Sequence, residues 1–321
     1  MKKILLCAIA IILVTAPVFA VDPRLEAMGG IGIGVAGSDM QSYRNPAAVF
    51  FDSNAFTFAV HGAFEDTIKG GYPWPYLPRQ SLDALFVAEM ITMSLDVAYY
   101  ADNYNITNGH VDLYQAASLN VNFSIGYKFI SGGIGISGGS RQQRLDVHLE
   151  SIVDLPVQTV LAVYDRVVNS EYIQVSAGVM GKVGNLYIGL LMANILGKDG
   201  STTTFNWDTL FSQTGIGAYW SRDEYSSRGK MNNFVYSAGI EFDYLFTDNR
   251  SMNVGAEVKF RMVRDSSVMA RVGYSAKLAD MGQGTITAGL GAAFRKIELA
   301  LNGEFPMGGS PRIGAVATLL F

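Results

Sequence analysis

The sequence has one cysteine, Cys7, and only three histidines, His61, His110 and His148. Charged residues make up 16% of the 321 positions, where soluble domains carry about 25%. Beyond the first twenty residues no apolar run reaches the roughly 18 residues that a membrane-crossing helix requires. The longest, Leu186 to Leu196, falls well short. Each shortage excludes a class of function. A chain with no cysteine after Cys7 builds no disulfide, thiol nucleophile or thiolate metal site there. The histidines show no i, i+4 spacing, so no metal site and no cofactor are expected. A net charge of −4 gives no basic footprint, so no nucleic-acid partner is expected.

Met1 to Ala20 has the layout of a secretory signal peptide. Lys2 and Lys3 form a basic start, Ile4 to Val14 an apolar stretch, and Val18-Phe19-Ala20 ends on a small residue. Its removal would take Cys7 and both lysines, leaving 22 basic against 28 acidic residues, a net charge of −6.

Hydrophobic residues make up 49% of the sequence, with 35 glycines and 12% aromatics. Their arrangement follows a period of two, the signature of a strand with unlike faces. In Asn233 to Phe246, one face carries Phe234, Tyr236, Ala238, Ile240, Phe242, Tyr244 and Phe246. The other carries Val235, Ser237, Gly239, Glu241, Asp243 and Leu245. The same alternation runs through 119–129, 252–263 and 268–278. These segments are longer than the ~5–6 residues usual in soluble proteins and match the ~9–11 of a tilted membrane-spanning strand. Such strands place apolar side chains toward lipid and polar ones toward a lumen. Polar-face residues would then be Glu241, Asp243, Glu257, Lys259, Arg261, Arg271, Lys277, Arg295, Glu298 and Glu304. Their mixed signs read first as cross-strand pairing, and second as a field that orients a headgroup or a plug. Tyr99, Tyr100, Tyr127, Phe129, Tyr244, Phe246 and Phe305 fall at strand ends, as in the aromatic girdles of membrane barrels.

The expected fold class is all-β: a transmembrane antiparallel β-barrel. Thirteen strands are read directly, at 55–64, 91–101, 118–130, 133–149, 172–183, 186–196, 214–221, 234–246, 252–263, 268–278, 285–294, 297–305 and 313–321. Bacterial barrels have even strand numbers, so fourteen are expected, the missing one within Leu82 to Met90. Twelve result if 214–221 is a loop. Gly184-Asn185, Arg264 to Ser267 and Arg295-Lys296 are short enough for periplasmic turns. Ile152 to Glu171, Gly197 to Gln213 and Pro306 to Arg312 read as outer loops. Gly71 to Pro78, rich in proline and aromatics, is no strand interior.

Residues 21–54 differ from the rest. The run Arg24 to Gly37, RLEAMGGIGIGVAG, is followed by Asn45-Pro46-Ala47. Its side chains are too small for a good lipid-facing strand, yet suit tight folding inside a lumen. Here the sequence resembles the FadL-like family of outer-membrane transporters for hydrophobic compounds. That resemblance implies a fourteen-strand barrel at 55–321 with residues 21–54 as a plug, or hatch. Asn45, Pro46 and Ala47 would be the hatch motif, with Gly30, Gly32 and Gly34 packing beside it. The chain is shorter than typical members, which implies reduced outer loops.

The function so expected is passive uptake of a hydrophobic small molecule, a long-chain fatty acid or similar, with hatch-gated release sideways into the bacterial outer membrane. Phe50, Phe51, Tyr72, Trp74 and Tyr76 would line the path. Glycine-rich Ser131 to Gly139 would be a place where strand pairing breaks for lateral exit. Partners would be membrane lipids and the outer-membrane assembly machinery, addressed through Phe321. The alternative is a barrel without transport, structural, secretion-associated or adhesin-like; a hydrophilic porin ranks third. No enzyme is expected. Gly32 to Gly37 fits G-x-G-x-x-G but lacks the surrounding βαβ unit. Asp146 and His148 share a face, as residues two apart do in any strand.

Overall fold

The computed structural model describes residues 23–36, 44–51, 56–67, 79–88, 91–105, 110–152, 159–199, 202–204, 213–222, 232–263, 266–309 and 311–320. The signal-peptide reading, the Gly71 to Pro78 segment and Phe321 lie outside these residues.

One short helix, α1 (Pro23–Ala27), and a 3-10 turn (Pro46–Phe51) precede an antiparallel sheet. Its first strands are β1 (Phe56–Thr67), β2 (Arg79–Ala88), β3 (Ile91–Asn105), β4 (His110–Tyr127) and β5 (Ile130–Ile152). Then come β6 (Thr159–Val183), β7 (Leu186–Asp199), β8 (Thr202–Thr204), β9 (Thr214–Ser221) and β10 (Phe234–Asp243). The last are β11 (Ser251–Val263), β12 (Ser266–Lys277), β13 (Thr285–Phe294), β14 (Ile297–Pro306) and β15 (Arg312–Leu320). Of these fifteen strands, β8 pairs only with β7. Every other strand pairs with two neighbours, and β7 with β8 as a third. β1 joins β15, β7 joins β9, and β6 pairs with β7, so the sheet closes on itself. Closure leaves no row of unpaired backbone groups at an edge.

The polarity of the two faces is inverted relative to a soluble protein. Along β10 the exposed positions are Phe234, Tyr236, Ala238 and Ile240, and the buried ones Val235, Ser237, Gly239, Glu241 and Asp243. Ile125 is 64% exposed, Leu290 65% and Val183 75%, while Ser124 is 0%, Glu241 1% and Arg271 4%. Water would penalise that apolar exterior at about 25 cal/mol per Å², and soluble monomers rarely show contiguous apolar patches above a few hundred Å². Hydrocarbon around the cylinder would remove the penalty. The rim formed by the short turns carries cations over exposed rings. Lys128 lies 5.1 Å from the Tyr127 ring centroid, Arg222 5.3 Å from Tyr236 and Arg295 5.4 Å from Phe294. Such pairs suit an interface where one end of the contact is apolar and the other wet.

Several sequence expectations change. Ile152 to Glu171, read as an outer loop, is mostly strand: β5 runs to Ile152 and β6 starts at Thr159. Their register from Ile152↔Thr159 to Ile130↔Gly181 forms a long ribbon. The strand read as 234–246 ends at Asp243, because Tyr244 takes a left-handed φ of 53°. Arg295 is no lumen residue; it is an exposed turn residue with φ 54°. Ser131 to Gly139 is fully paired with both β4 and β6, so it is no break in the wall. The strand expected within Leu82 to Met90 is β2, and 214–221 pairs on both sides.

Candidate functional site

The described residues of the N-terminal segment lie against the inner faces of the strands, and the wall is cut to receive them. Ala27, Met28, Ile33, Asn45, Ala47 and Ala48 are each 0% exposed. Bare backbone on the wall permits this approach. A Cβ added at Gly133 of β5 would lie 2.6 Å from the Ala47 nitrogen, and one at Gly217 of β9 2.8 Å from the Gly34 nitrogen. Gly29 is tight from the other side, with φ +78° and a notional Cβ 2.8 Å from the Val254 carbonyl oxygen. Within Ser131 to Gly139, Gly133 thus serves packing against the Pro46-Ala47 turn rather than a gap between strands.

Two ion-pair clusters fasten the segment. Near its start, the Arg24 guanidinium lies 2.8 Å from Glu257 Oε1 and donates to the Tyr219 hydroxyl at 3.0 Å. Glu257 also pairs with Arg271 at 2.7 Å, and Arg271 with Glu298 at 3.0 Å. Near its end, Arg44 pairs with Glu241 and, at 2.7 Å, with Asp243. Glu241 Oε2 accepts the backbone N–H groups of Gly32 and Ile33 at 2.7 and 2.6 Å. Asp243 is steadied by Asn253 at 3.0 Å. The inward charges therefore do two jobs: some pair strand to strand, and the others pair with the two arginines of the segment. This matters because buried carboxylates are costly unless paired and hydrogen-bonded.

Asn45 organises the motif that the sequence singles out. Its Nδ2 donates to the Ile33 carbonyl at 2.9 Å and approaches the Leu190 and Val179 carbonyls at 3.3 and 3.4 Å. Its Oδ1 accepts the Ala47 N–H at 3.0 Å. Pro46 follows at the start of the 3-10 turn, where a missing N–H costs nothing. Ser131 then donates to the Ala47 carbonyl at 2.7 Å. Gly32 and Gly34 are both buried, whereas Gly30 is exposed with φ +80° and nothing within 4 Å of a notional Cβ.

Phe50 and Phe51 stack edge-on at 5.3 Å, and Phe51 meets Tyr187 at 5.8 Å. Phe50 lies against Gly126, next to the β4–β5 turn, so both rings sit at the short-turn end of the cylinder. Tyr72, Trp74 and Tyr76 lie outside the described residues. The structure therefore brings together two of the five expected path residues. Arg24 and Arg44 were not singled out by sequence reasoning. Two arginines in a Gly- and Ala-rich run, facing strands with surplus carboxylates, were the available signal. Among the described residues, no group of three or more His, Cys, Asp or Glu could hold a metal ion, and no helix is long and apolar enough to cross a membrane.

No protein-family model matches the sequence, and no curated protein matches it. Solved structures do match the fold. The CymD monoaromatic hydrocarbon channel superimposes with a TM-score of 0.59 at 12% identity, covering 94% of this chain and 96% of that one. The Pseudomonas putida toluene transporter TodX gives 0.59 at 9% identity, covering 95% and 99%. A Pseudomonas aeruginosa FadL homologue gives 0.53 at 10% identity, covering 95% and 98%. Over nearly its whole length, this chain has the fold of those barrels.

Proposed function

We propose that the protein is an outer-membrane barrel of fourteen spanning strands that admits hydrophobic small molecules passively past an N-terminal plug. The observation that carries this reading is the closed sheet, apolar outside and polar inside, with residues 24–36 and 44–51 fastened within it. A hydrophilic porin would leave its lumen to water; here backbone and ion pairs occupy it. The neighbours in fold are described as a monoaromatic hydrocarbon channel, a toluene transporter and a FadL homologue. Monoaromatic hydrocarbons therefore join long-chain fatty acids as the substrate class. Movement of the plug would open the path and let the molecule leave sideways into the membrane. Phe50, Phe51 and Tyr187 would contact it at the short-turn end.

A second reading rests on the fasteners themselves. Three separate sets, at Arg24, Arg44 and Asn45, describe a lumen built to stay shut, as a structural or adhesin-like barrel would need. One experiment separates the two. Liposomes carrying the purified protein should take up labelled toluene and labelled fatty acid faster than empty liposomes. Equal uptake at matched lipid, with the barrel shown to be folded, would refute transport and leave the closed barrel.

A further inference from the structure

The two ends of the cylinder differ in charge. At the short-turn end, the described residues between strands include Lys128, Arg222, Arg295 and Lys296 and no acid. At the opposite end they include Asp248, Asp280 and one cation, Arg250. Three of the short-turn cations stand over rings exposed on the outer face: Lys128 over Tyr127, Arg222 over Tyr236 and Arg295 over Phe294. Arg222 is also fixed by its backbone, whose N–H donates to the Tyr236 carbonyl at 3.0 Å. Tyr236 in turn meets the exposed Trp220 ring at 5.4 Å. The turn backbone is a second observation. Two-residue hairpin turns favour glycine or asparagine in left-handed positions. The β6–β7 turn uses Gly184 at φ 58°, but the β4–β5 turn places Lys128 at φ 50° and the β13–β14 turn Arg295 at φ 54°. A side chain in that conformation costs energy that glycine avoids. Among the described residues, Lys128, Arg222 and Arg295 form no ion pair, so pairing within the barrel does not offset the cost.

We propose that the short-turn rim, through Lys128, Arg222 and Arg295, binds the headgroups of anionic phospholipids in the leaflet that it meets. Aromatic rings settle at the boundary between hydrocarbon and headgroups. A cation held just beyond such a ring stands at the level of the lipid phosphate. Attraction of a Lys or Arg to an anionic leaflet acts within about a Debye length, so only residues at the rim gain from it. A zwitterionic headgroup has the same phosphate, but its own ammonium cancels the charge. The three cations sit on separate hairpins and ride on outward-facing rings. That arrangement fits several lipids around the barrel and not one soluble anion held in a pocket. The proposal rests on the membrane-barrel reading above and is independent of transport.

Trp220 reports on the Arg222 site. The sequence has three tryptophans, so Trp74→Phe with Trp207→Phe leaves Trp220 alone. This protein is placed in phosphatidylcholine vesicles to which brominated phosphatidylglycerol or brominated phosphatidylcholine is added stepwise. Quenching of Trp220 then gives the relative binding of the two lipids beside it. Phosphatidylglycerol should be preferred by about fivefold at low salt, and the preference should shrink at high salt. Arg222→Gln should bring it close to one, and Arg250→Gln, at the other end, should leave it unchanged. Lys128→Gln and Arg295→Gln should lower the number of anionic lipids retained per barrel in native mass spectrometry. Each variant is first checked for heat-modifiable migration on a gel, the sign of an intact barrel. If Arg222→Gln does not fold, the preference of the parent protein and its salt dependence decide. Equal quenching by the two lipids, or a preference that survives Arg222→Gln, would overturn the proposal and leave the barrel in the membrane. No quenching by either lipid would overturn the membrane reading and the proposal with it.

Discussion

Replacing Glu241 by alanine asks whether the wall holds the N-terminal segment as the geometry says. This carboxylate is 1% exposed. It accepts the N–H groups of Gly32 and Ile33 at 2.7 and 2.6 Å and shares Arg44 with Asp243. Truncation leaves two buried donors without an acceptor and removes one of the two partners of Arg44. A buried donor left unsatisfied costs about 1–3 kcal/mol, and a buried ion pair broken from one side costs about 3–5 kcal/mol. The contributions overlap because one group makes every contact, and lumen water repairs part of the loss. The net loosening should be about 3 kcal/mol, which at 1.4 kcal/mol per tenfold exceeds a hundredfold in the released population. Hydrogen exchange in detergent reads this directly. Peptides covering residues 24–36 should exchange far faster in Glu241→Ala than in the wild type, while β11 to β14 keep their protection. Glu241→Gln should fall between, since its amide oxygen still accepts an N–H. Unchanged protection of Gly32 and Ile33 in a folded Glu241→Ala protein would refute the reasoning.

Other consequences follow from the same contacts. Leu290→Arg places a charge on the outer face and should destabilise the barrel in lipid by about 2–4 kcal/mol if the residue lies near mid-bilayer; urea unfolding in vesicles measures it. Asn45→Ala strands the Ala47 N–H and the Ile33 carbonyl and should loosen the segment by about 1–3 kcal/mol, seen as faster exchange around residues 44–51. Gly133→Val puts side-chain atoms where Pro46 and Ala47 now lie and should expose the same residues to protease with the strands intact.

How much of this was legible beforehand depends on the range of the interaction. The two faces of β10 can be read residue by residue, because alternation is local and each position answers to the medium beside it. The Asn45-Pro46-Ala47 turn and its glycines were also visible, since small residues in one cluster imply close approach. What escaped was set by partners distant in sequence. Thr159 to Glu171 lacks clean alternation and becomes strand through its register with β5. Arg44 looks like a surface residue until Glu241 and Asp243, nearly two hundred positions away, are brought to it. The glycine-rich run Ser131 to Gly139 suggested a weak wall because the turn that Gly133 accommodates was not yet placed.

The central claim is that the apolar face meets hydrocarbon while the polar face encloses the N-terminal segment. The chain has a single cysteine, Cys7, so single cysteines introduced after it in a Cys7→Ser background can be spin-labelled selectively. Labels at Val272→Cys and Leu290→Cys in liposomes should collide readily with molecular oxygen and little with a water-soluble nickel chelate. Labels at Ser237→Cys and Thr287→Cys should show low oxygen accessibility and restricted motion. Free access of the nickel chelate to the first pair, or strong oxygen exposure of the second, would contradict the account.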